Sequence, residues 1–492
     1  MRNRILLHII LLCLAICPTN AQDWSWWPLG LTHDRIKGDT LYYGAEVLGV
    51  ASSGKFAPFW LQSNRNGNIS ASPYSGNLSA GVYKPATQPC RWFDYDFAVQ
   101  MTGRVQSNIP TVFSPYQKQI TGYFNHLYAH VRLYFIDVTA GIKPLNYESV
   151  DPLLSSGSMI LSGNSQPIPR VTIGIDDYIP FPGLFGYVEL KGGITYGWLA
   201  DDVYIQNCRF HHKFAALRFG GKLPVNLSYE FHHAAQWGGV SPVYGDVGGD
   251  FHSFLNVFAA QSGGTMSNDQ QNAQGNHVGS QQLALTAKGN GWNVTAYWQN
   301  FFDDNFAFLG FGHNLPDGIW GISVQQTKWK WIEALTYEYM NTTDQSGPWH
   351  DRDGLCYGAN DSYYRNSVFC NGWNYFYRSM GTPFITSPLY NIDGTIYTLN
   401  SRVRLHHVGV RGDIFGFKYR LLCSHARNFG NNNASKALLS TNTATLLEVS
   451  KHIEKAWGLD FSLSLAGDFG TQFGNQFGAM LTIRKQGIIT QW

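Results

Sequence analysis

Between Trp92 and Ser107 the chain alternates without a break. Phe93, Tyr95, Phe97, Val99, Met101 and Val105 fall on one face, and Asp94, Asp96, Gln100, Thr102, Arg104 and Gln106 on the other. Strict alternation is the signature of a β-strand with one apolar and one polar face. This run is well beyond the roughly five or six residues usual in a soluble sheet. It suits a strand that crosses a bilayer and extends past it, with lipid on one side and a lumen on the other.

The pattern recurs along the chain. Gly186 to Leu199 sets Val188, Leu190, Ile194, Tyr196 and Trp198 against Glu189, Lys191 and Thr195. Leu223 to His233 sets Leu223, Val225, Leu227, Tyr229 and Phe231 against Asn226, Ser228, Glu230 and His232. Trp457 to Leu465 and Phe477 to Arg484 repeat it near the end. Weaker candidates are Thr121–Phe135, Asp137–Lys143, Phe210–Phe219, Gln281–Lys288, Trp292–Gln299, Gly318–Gln326, Trp331–Met340, Arg402–Arg411 and Phe415–Ser424. The count predicts 14 to 18 strands, with an even number expected. A soluble sandwich rarely needs so many long strands, and a propeller would show a repeat of roughly 40–50 residues, which is not found. The fold expected is all-β: a large transmembrane antiparallel β-barrel with loop and short-helix insertions.

The N-terminus agrees with export. Arg2 and Arg4 precede an apolar core from Ile5 to Ile16, and small residues lead to a cleavage site near Ala21/Gln22. The alternative, lipidation at Cys17, is disfavoured by the bulky Ile16 before it. Residues 1–21 read as a signal peptide, 22–40 as a Trp-rich lead-in, and 41–492 as the barrel. After residue 21 no run of 18 apolar residues occurs, which excludes membrane-spanning helices. Only 14% of residues are charged and the net charge is +2, so nothing points to nucleic acid.

Four segments break the alternation: 53–83, 144–183, 238–279 and 341–388. The third contains a candidate helix, Phe251–Gln261, with Phe251, Phe254, Leu255 and Phe258 on one face. The fourth is the longest. It carries ten aromatics, nine Asn or Asp residues, and both Cys356 and Cys370, too aromatic for a disordered linker. The two cysteines could form a disulfide that staples it. Trp349, Asp351, Arg352, Tyr363, Tyr364, Arg365 and Trp373 supply the chemistry of sugar recognition: ring faces for sugar C–H faces, a carboxylate for hydroxyls, and guanidinium for uronic acids. The alternative is that these aromatics pack the loop on itself.

Enzyme chemistry finds no footing. There is no His-Glu-x-x-His motif and no Gly-x-Ser-x-Gly elbow. The pairs His211-His212, His232-His233 and His406-His407 point to opposite faces of their strands, so neither pair member can help the other chelate a metal. Asp176-Asp177, Asp201-Asp202 and Asp303-Asp304 read as turn acids. No metal, no cofactor and no catalytic residue is expected.

Several stretches resemble a known family. Pro58-Phe59-Trp60-Leu61-Gln62-Ser63-Asn64-Arg65 with Ser75-Gly76-Asn77-Leu78 is one. Ser156-Gly157-Ser158, Ser162-Gly163-Asn164 and Pro167-Ile168-Pro169-Arg170 form a second. His233 to Gly239 is a third, and Asn341 to Pro348 with His350-Asp351, Gly372-Trp373 and Gly381-Thr382-Pro383 a fourth. Arg402 to His407 leads into a late strand. Together they resemble the Bacteroidetes branch of the Wzi-type capsule assembly proteins, over nearly all of the mature chain. The resemblance implies an outer-membrane barrel of about 18 strands that acts as a lectin-like, non-enzymatic anchor for capsular or related surface polysaccharide. Partners then include outer-membrane lipid and the barrel assembly machinery. A porin or substrate-specific channel is the alternative, which the polar strand faces allow.

Overall fold

The computed structural model describes residues 40–86, 92–145, 151–199, 204–264, 266, 269–270, 273–303, 314–345, 350–352, 355–357, 362–431 and 438–492, with backbone alone at 114–115, 350–352 and 355–357. The expected leader, its cleavage site, most of the 22–40 lead-in, Cys90 and Trp349 lie outside the described residues.

Eighteen strands close into one antiparallel barrel. In chain order they are β1 (Thr40–Ser52), β2 (Tyr74–Lys84), β3 (Phe93–Gln106), β4 (Ile120–Leu133), β5 (Ile136–Ile142), β6 (Pro169–Pro180), β7 (Val188–Leu199), β8 (Cys208–Phe219) and β9 (Val225–Trp237). After a short ribbon, β10 (Val240–Ser241) and β11 (Gly245–Asp246), the wall continues with β12 (Asn276–Gly289), β13 (Trp292–Asp303), β14 (Gly318–Gln326) and β15 (Ala334–Asn341). Two more ribbons follow: β16 (His350–Arg352) with β17 (Leu355–Tyr357), and β18 (Asn374–Tyr375) with β19 (Arg378–Ser379). The wall ends with β20 (Val403–Ile414), β21 (Phe417–Asn428), β22 (Ser440–Ile453), β23 (Leu459–Gly470) and β24 (Gln476–Gln491). Each wall strand pairs with its neighbours in sequence, and β1 pairs with β24 to close the circle. Closure leaves no unpaired edge, as a structure in lipid requires.

The two faces separate as the alternation predicts. On β3, Tyr95, Val99, Met101 and Val105 are exposed, while Asp94, Asp96, Gln100, Thr102, Arg104 and Gln106 are buried in the lumen. Leu78, Ile173, Leu217, Leu227, Leu285, Ile322, Leu421, Leu463 and Leu481 continue the apolar belt. Inward charges pair with opposite sign: Arg132 Nε lies 2.6 Å from Asp137, Lys191 Nζ 3.0 Å from Glu230, and Arg420 3.0 Å from Glu448.

Alternation of direction gives the barrel two unlike ends. One, the turn end, holds the short connections, such as Tyr134-Phe135, Asn290-Gly291 and Phe415-Gly416, together with Thr40 and the final residues of β24. Asn-Gly suits this position because a two-residue hairpin needs positive φ, and Gly291 has φ +75°. The other, the loop end, carries every long connection. Four expected boundaries are corrected here. Residues 74–84 and 169–180 are wall strands rather than insertions, and Asn276–Gly279 opens β12. The fourth insertion runs on from 341–388 to Arg402, where the next wall strand begins. Trp457, Leu223 and Trp331 lie in turns rather than in the strands expected for them.

The candidate helix exists as Phe251–Ala259. Along its apolar face Phe254 and Phe258 are half-buried while Phe251 and Leu255 are exposed, and its buried residues are Ser253, Asn256 and Val257. Asp250 caps its start, accepting from Ser253 N–H at 2.7 Å.

Candidate functional site: the lumenal plug and its outer face

Three loop-end connections fold inward and lock together inside the barrel. The first, 53–73, contains a single helical turn, Phe59–Gln62, all of whose residues are buried. Trp60 Nε1–H donates to Ser424 Oγ at 3.0 Å, Phe59 N–H to Asp468 at 2.9 Å, and Arg65 pairs with Glu448 at 2.7 Å. The second, 143–168, is held by Glu338 on β15. That carboxylate accepts from Ser155 Oγ–H at 2.8 Å, Ser156 N–H at 2.6 Å and Tyr297 O–H. Gln299 and His407 add bonds to Met159 N–H (2.8 Å) and Leu154 O (2.7 Å). The third, 342–402, packs over both. Arg378 Nη2 donates to Gln62 and to Ile69 O, each at 3.0 Å, and Asn164 Nδ2 donates to Ser379 O at 3.0 Å.

Much of what the sequence offered as a binding surface is this plug's interior. Tyr363, Tyr364 and Trp373 are among the largest fully buried side chains. Trp373 Nε1–H donates to Ile160 O at 2.8 Å, and Tyr364 O–H donates to Met159 O. Tyr363 O–H donates to Asp317 Oδ2 at 2.8 Å, and its ring stands edge-on to Phe301 on the wall, centroids 4.5 Å apart. Gly381 makes this junction possible: a Cβ there would collide with Tyr364 Oη and Met159 O. These three aromatics are therefore corrected from sugar contacts to core. Rings this large bury much apolar surface each, and the plug uses them for that. Cys370 is a free thiol that donates to Ser367 O at 3.0 Å. The Cys356–Cys370 staple is thus not formed in this structure. Asp351 and Arg352 sit in a short ribbon with Leu355 and Cys356; only their backbone is described.

Asp317 fixes the outer part of the plug to the wall. It also accepts from Asn341 Nδ2–H and Asp344 N–H, each at 2.9 Å. Burial, aided by the nearby Asp344 charge, pushes its carboxyl up to about 8, against the pull of these donors.

Of the seven residues proposed from sequence, Arg365 is placed on the plug's outer face. It is half-buried, with its guanidinium 4.6 Å from the centre of the Tyr397 ring. From there a continuous set of sugar-type groups crosses the loop end. Asn391 Nδ2 donates to Tyr397 O at 2.9 Å. The half-buried rings of Tyr390 and Phe473 lie 5.0 Å apart. Beside them, Asn400 Nδ2 donates to Asn428 Oδ1 (3.0 Å) and to Thr386 Oγ1 (3.1 Å), while Asn428 Nδ2 donates to Gln472 Oε1 (2.8 Å). Partly exposed rings next to planar amides and a hydroxyl can stack on sugar C–H faces and bridge vicinal hydroxyls. Sequence reasoning missed this patch, because it joins residues from the late insertion to turn residues of β21 and β23. The one available signal was aromatic Phe473 beside Gln472 in an otherwise ordinary hairpin turn.

The paired histidines do split between faces. His212 and His407 point inward, and His211 and His406 outward, with His406 exposed. The contacts they make run across strands instead: His212 to His232 at 3.1 Å inside, and His233 to His277 at 2.9 Å outside. Among the described residues one group, His130, Asp137 and Asp176, places possible metal-ligand atoms within 4.8 Å of one another. Arg132, 2.6 Å from Asp137, already supplies positive charge there, and His130 Nε2 bonds Asp137 at 2.9 Å. The group works as part of the lumenal ion-pair network.

No protein-family model matches the chain, and no curated protein matches it. Among solved structures, it is similar to Wzi of Escherichia coli, described as an outer-membrane protein involved in group 1 capsule assembly and a carbohydrate-binding β-barrel. That likeness covers 91% of this chain and 84% of the other, at 14% identity and a TM-score of 0.56. Pseudomonas aeruginosa OpdL matches over 92% of this chain and 99% of its own, at 8% identity and a TM-score of 0.46. OccK9 (OpdG) of the same organism matches over 92% and 98%, at 10% identity and a TM-score of 0.46. The likeness to Wzi places the chain with large barrels of the outer-membrane type.

Proposed function

We propose that this protein is a non-enzymatic, lectin-like barrel of the outer membrane that retains capsular or related surface polysaccharide at its loop end. Short turns face the periplasm and long loops the outside in barrels of this kind. On that orientation the plug's outer face looks away from the cell. The observation that carries the reading is the patch of Arg365, Tyr397, Tyr390, Phe473, Asn400 and Gln472 on a lumen closed by interlocked loops. A preorganised face of partly exposed rings and amides suits a ligand that is held rather than passed through. The carbohydrate binding described for Wzi, a barrel of like fold, agrees with this.

A channel is the second reading. Charged residues line the lumen toward the turn end, with the side chains of Asp177 and Arg411 34% and 33% exposed. A displaced plug would open that path. The deciding experiment deletes the protein and measures polysaccharide on cells and in the medium. Shedding into the medium is expected. Polysaccharide that stays fully attached overturns the proposal, and steady conductance of the unaltered protein in a planar bilayer would support the channel instead.

A further inference from the structure

In the connection between β9 and β12, Val247 and Met266 pack with the plug's core, but the helix packs elsewhere, against Ala235 and Trp237. The helix lies outside the barrel. Strand register fixes this: Tyr196, His211, Ala235 and His277 are cross-strand partners, as are Trp198, Arg209 and Trp237. They share the face that Ile194, Leu217, Leu227 and Leu283 expose lower down. Yet His211, His233, Ala235, Trp237 and His277 are buried. The helix is what covers them. Phe254 packs on Tyr196, Trp237 and His211, with centroids 6.2, 5.6 and 5.8 Å away.

The helix also runs along the wall. Its leading residue Gly249 accepts from Arg209, and Phe258 near its end accepts from Lys213. From Arg209 to Lys213 a strand advances about 13 Å toward the turn end, and from Gly249 to Phe258 a helix advances about the same. The helix therefore descends the outer wall from the loop end, parallel to β8. What it turns away from the wall is mostly apolar: Phe251 is 73% exposed and Leu255 46%, with Ala259 and the single polar side chain His252 also exposed. Trp198 and Ile194, on the wall beside the Tyr196 that Phe254 covers, are 46% and 47% exposed. This apolar surface is continuous with the barrel's lipid belt.

We propose that the helix Phe251–Ala259 lies in the outer leaflet, with Phe251 and Leu255 among lipid acyl chains. An amphipathic helix with one face on protein and an apolar face outward is stable at that depth, and the barrel supplies the polar-side support that a free interfacial helix takes from water. The wall's polar patch of His211, His233 and His277 is thereby kept from the bilayer.

The test uses the full-length protein in native outer membranes. Phe251→benzoylphenylalanine and, separately, Leu255→benzoylphenylalanine are irradiated and the adducts weighed. Leu227→benzoylphenylalanine on the wall serves as the lipid-facing reference. A heat-modifiable gel shift confirms that each variant is folded, and the second site serves if the first is not. Lipid adducts within about threefold of the reference yield are expected. Adducts to a polypeptide, whether a second copy of this chain or another protein, overturn the proposal. So does a folded variant that forms no adduct, which would place the face in water.

Discussion

Glu338 offers the sharpest test of how the lumen is closed. It is fully buried on β15 and takes three donors: Ser155 Oγ–H, Ser156 N–H and Tyr297 O–H. Replacing it with Ala removes the acceptor and leaves these donors buried without it. A hydrogen bond to a charged group contributes roughly 1.5–3 kcal/mol, and an orphaned buried donor costs about 1–3 kcal/mol. Allowing for relaxation of the 143–168 connection, Glu338→Ala weakens the plug by about 3–5 kcal/mol. At 1.4 kcal/mol per tenfold, that raises the open fraction of this connection roughly a hundred- to several-thousand-fold. The wall is held by strand pairing and should persist, so the heat-modifiable gel shift of the barrel is expected to stay. Backbone amides of residues 154–162 should exchange faster by that factor, and single-channel recordings should show openings that the unaltered protein lacks. Glu338→Gln keeps one acceptor oxygen and should fall between. Unchanged exchange at 154–162 together with unchanged conductance would refute the assignment of Glu338 as an anchor.

Other outcomes follow from the same geometry. The Asp317 carboxyl is pushed up to about 8 in the folded protein, against about 3.9 when unfolded. Its contribution is therefore complete at low pH and is lost as pH rises to 8, by at most about 1.4 kcal/mol per unit. Hydrogen exchange around Tyr363 should quicken across that window and level off above it, and Asp317→Asn should flatten the profile. Tyr390→Ala combined with Gln472→Ala should keep the heat-modifiable gel shift of a folded barrel but weaken binding of purified protein to surface polysaccharide by about tenfold or more, the scale of one lost stacking contact and one lost hydrogen bond; titration calorimetry with the isolated polymer would show an unchanged affinity if the patch is not the site. Cys423 is a free, outward-facing, exposed thiol, whereas Cys208 is buried. A membrane-permeant maleimide should label Cys423 in intact membranes, while a charged one should not; equal labelling by both would place β21 at the wrong height. An epitope inserted at Ser346 should be reached by antibody on intact cells, and a silent tag would reverse the orientation.

The wall was legible where its outward positions are regularly bulky and apolar. A strand such as β3 carries bulky apolar residues on nearly every second position because the bilayer demands them. Three strands escaped notice for identifiable reasons. β2 has Ser, Gly and Ala at five of its 11 positions, which weakens its periodic signal. β6 begins and ends with Pro, which reads as turn. β22 inverts the rule near the loop end: Thr441, Thr443 and Thr445 face outward, while Ala444 and Leu446 are buried against the lumen's contents. A plugged barrel has two apolar environments, and a strand that meets the plug inside can lose its alternation. The binding face was the least legible part. Burial decides whether Tyr363 or Tyr390 meets a ligand, and burial here depends on contacts between segments hundreds of residues apart. The stretches around Phe59, Ser156 and Gly381 proved to be the junctions of the plug, so their residues are fixed by the filling of a lumen.

The plug is knitted from an early, a middle and a late segment of the chain, at 53–73, 143–168 and 342–402. It follows that no growing or partly inserted chain can complete it. Arg378 meets Gln62 and Ile69 only after most of the wall has been laid down, and β1 meets β24 later still. Contacts of such long sequence separation form slowly. The aromatic side chains that end up in the core must meanwhile travel exposed. Until the three segments meet, Trp60, Tyr364 and Trp373 lack the partners that bury them in the finished barrel.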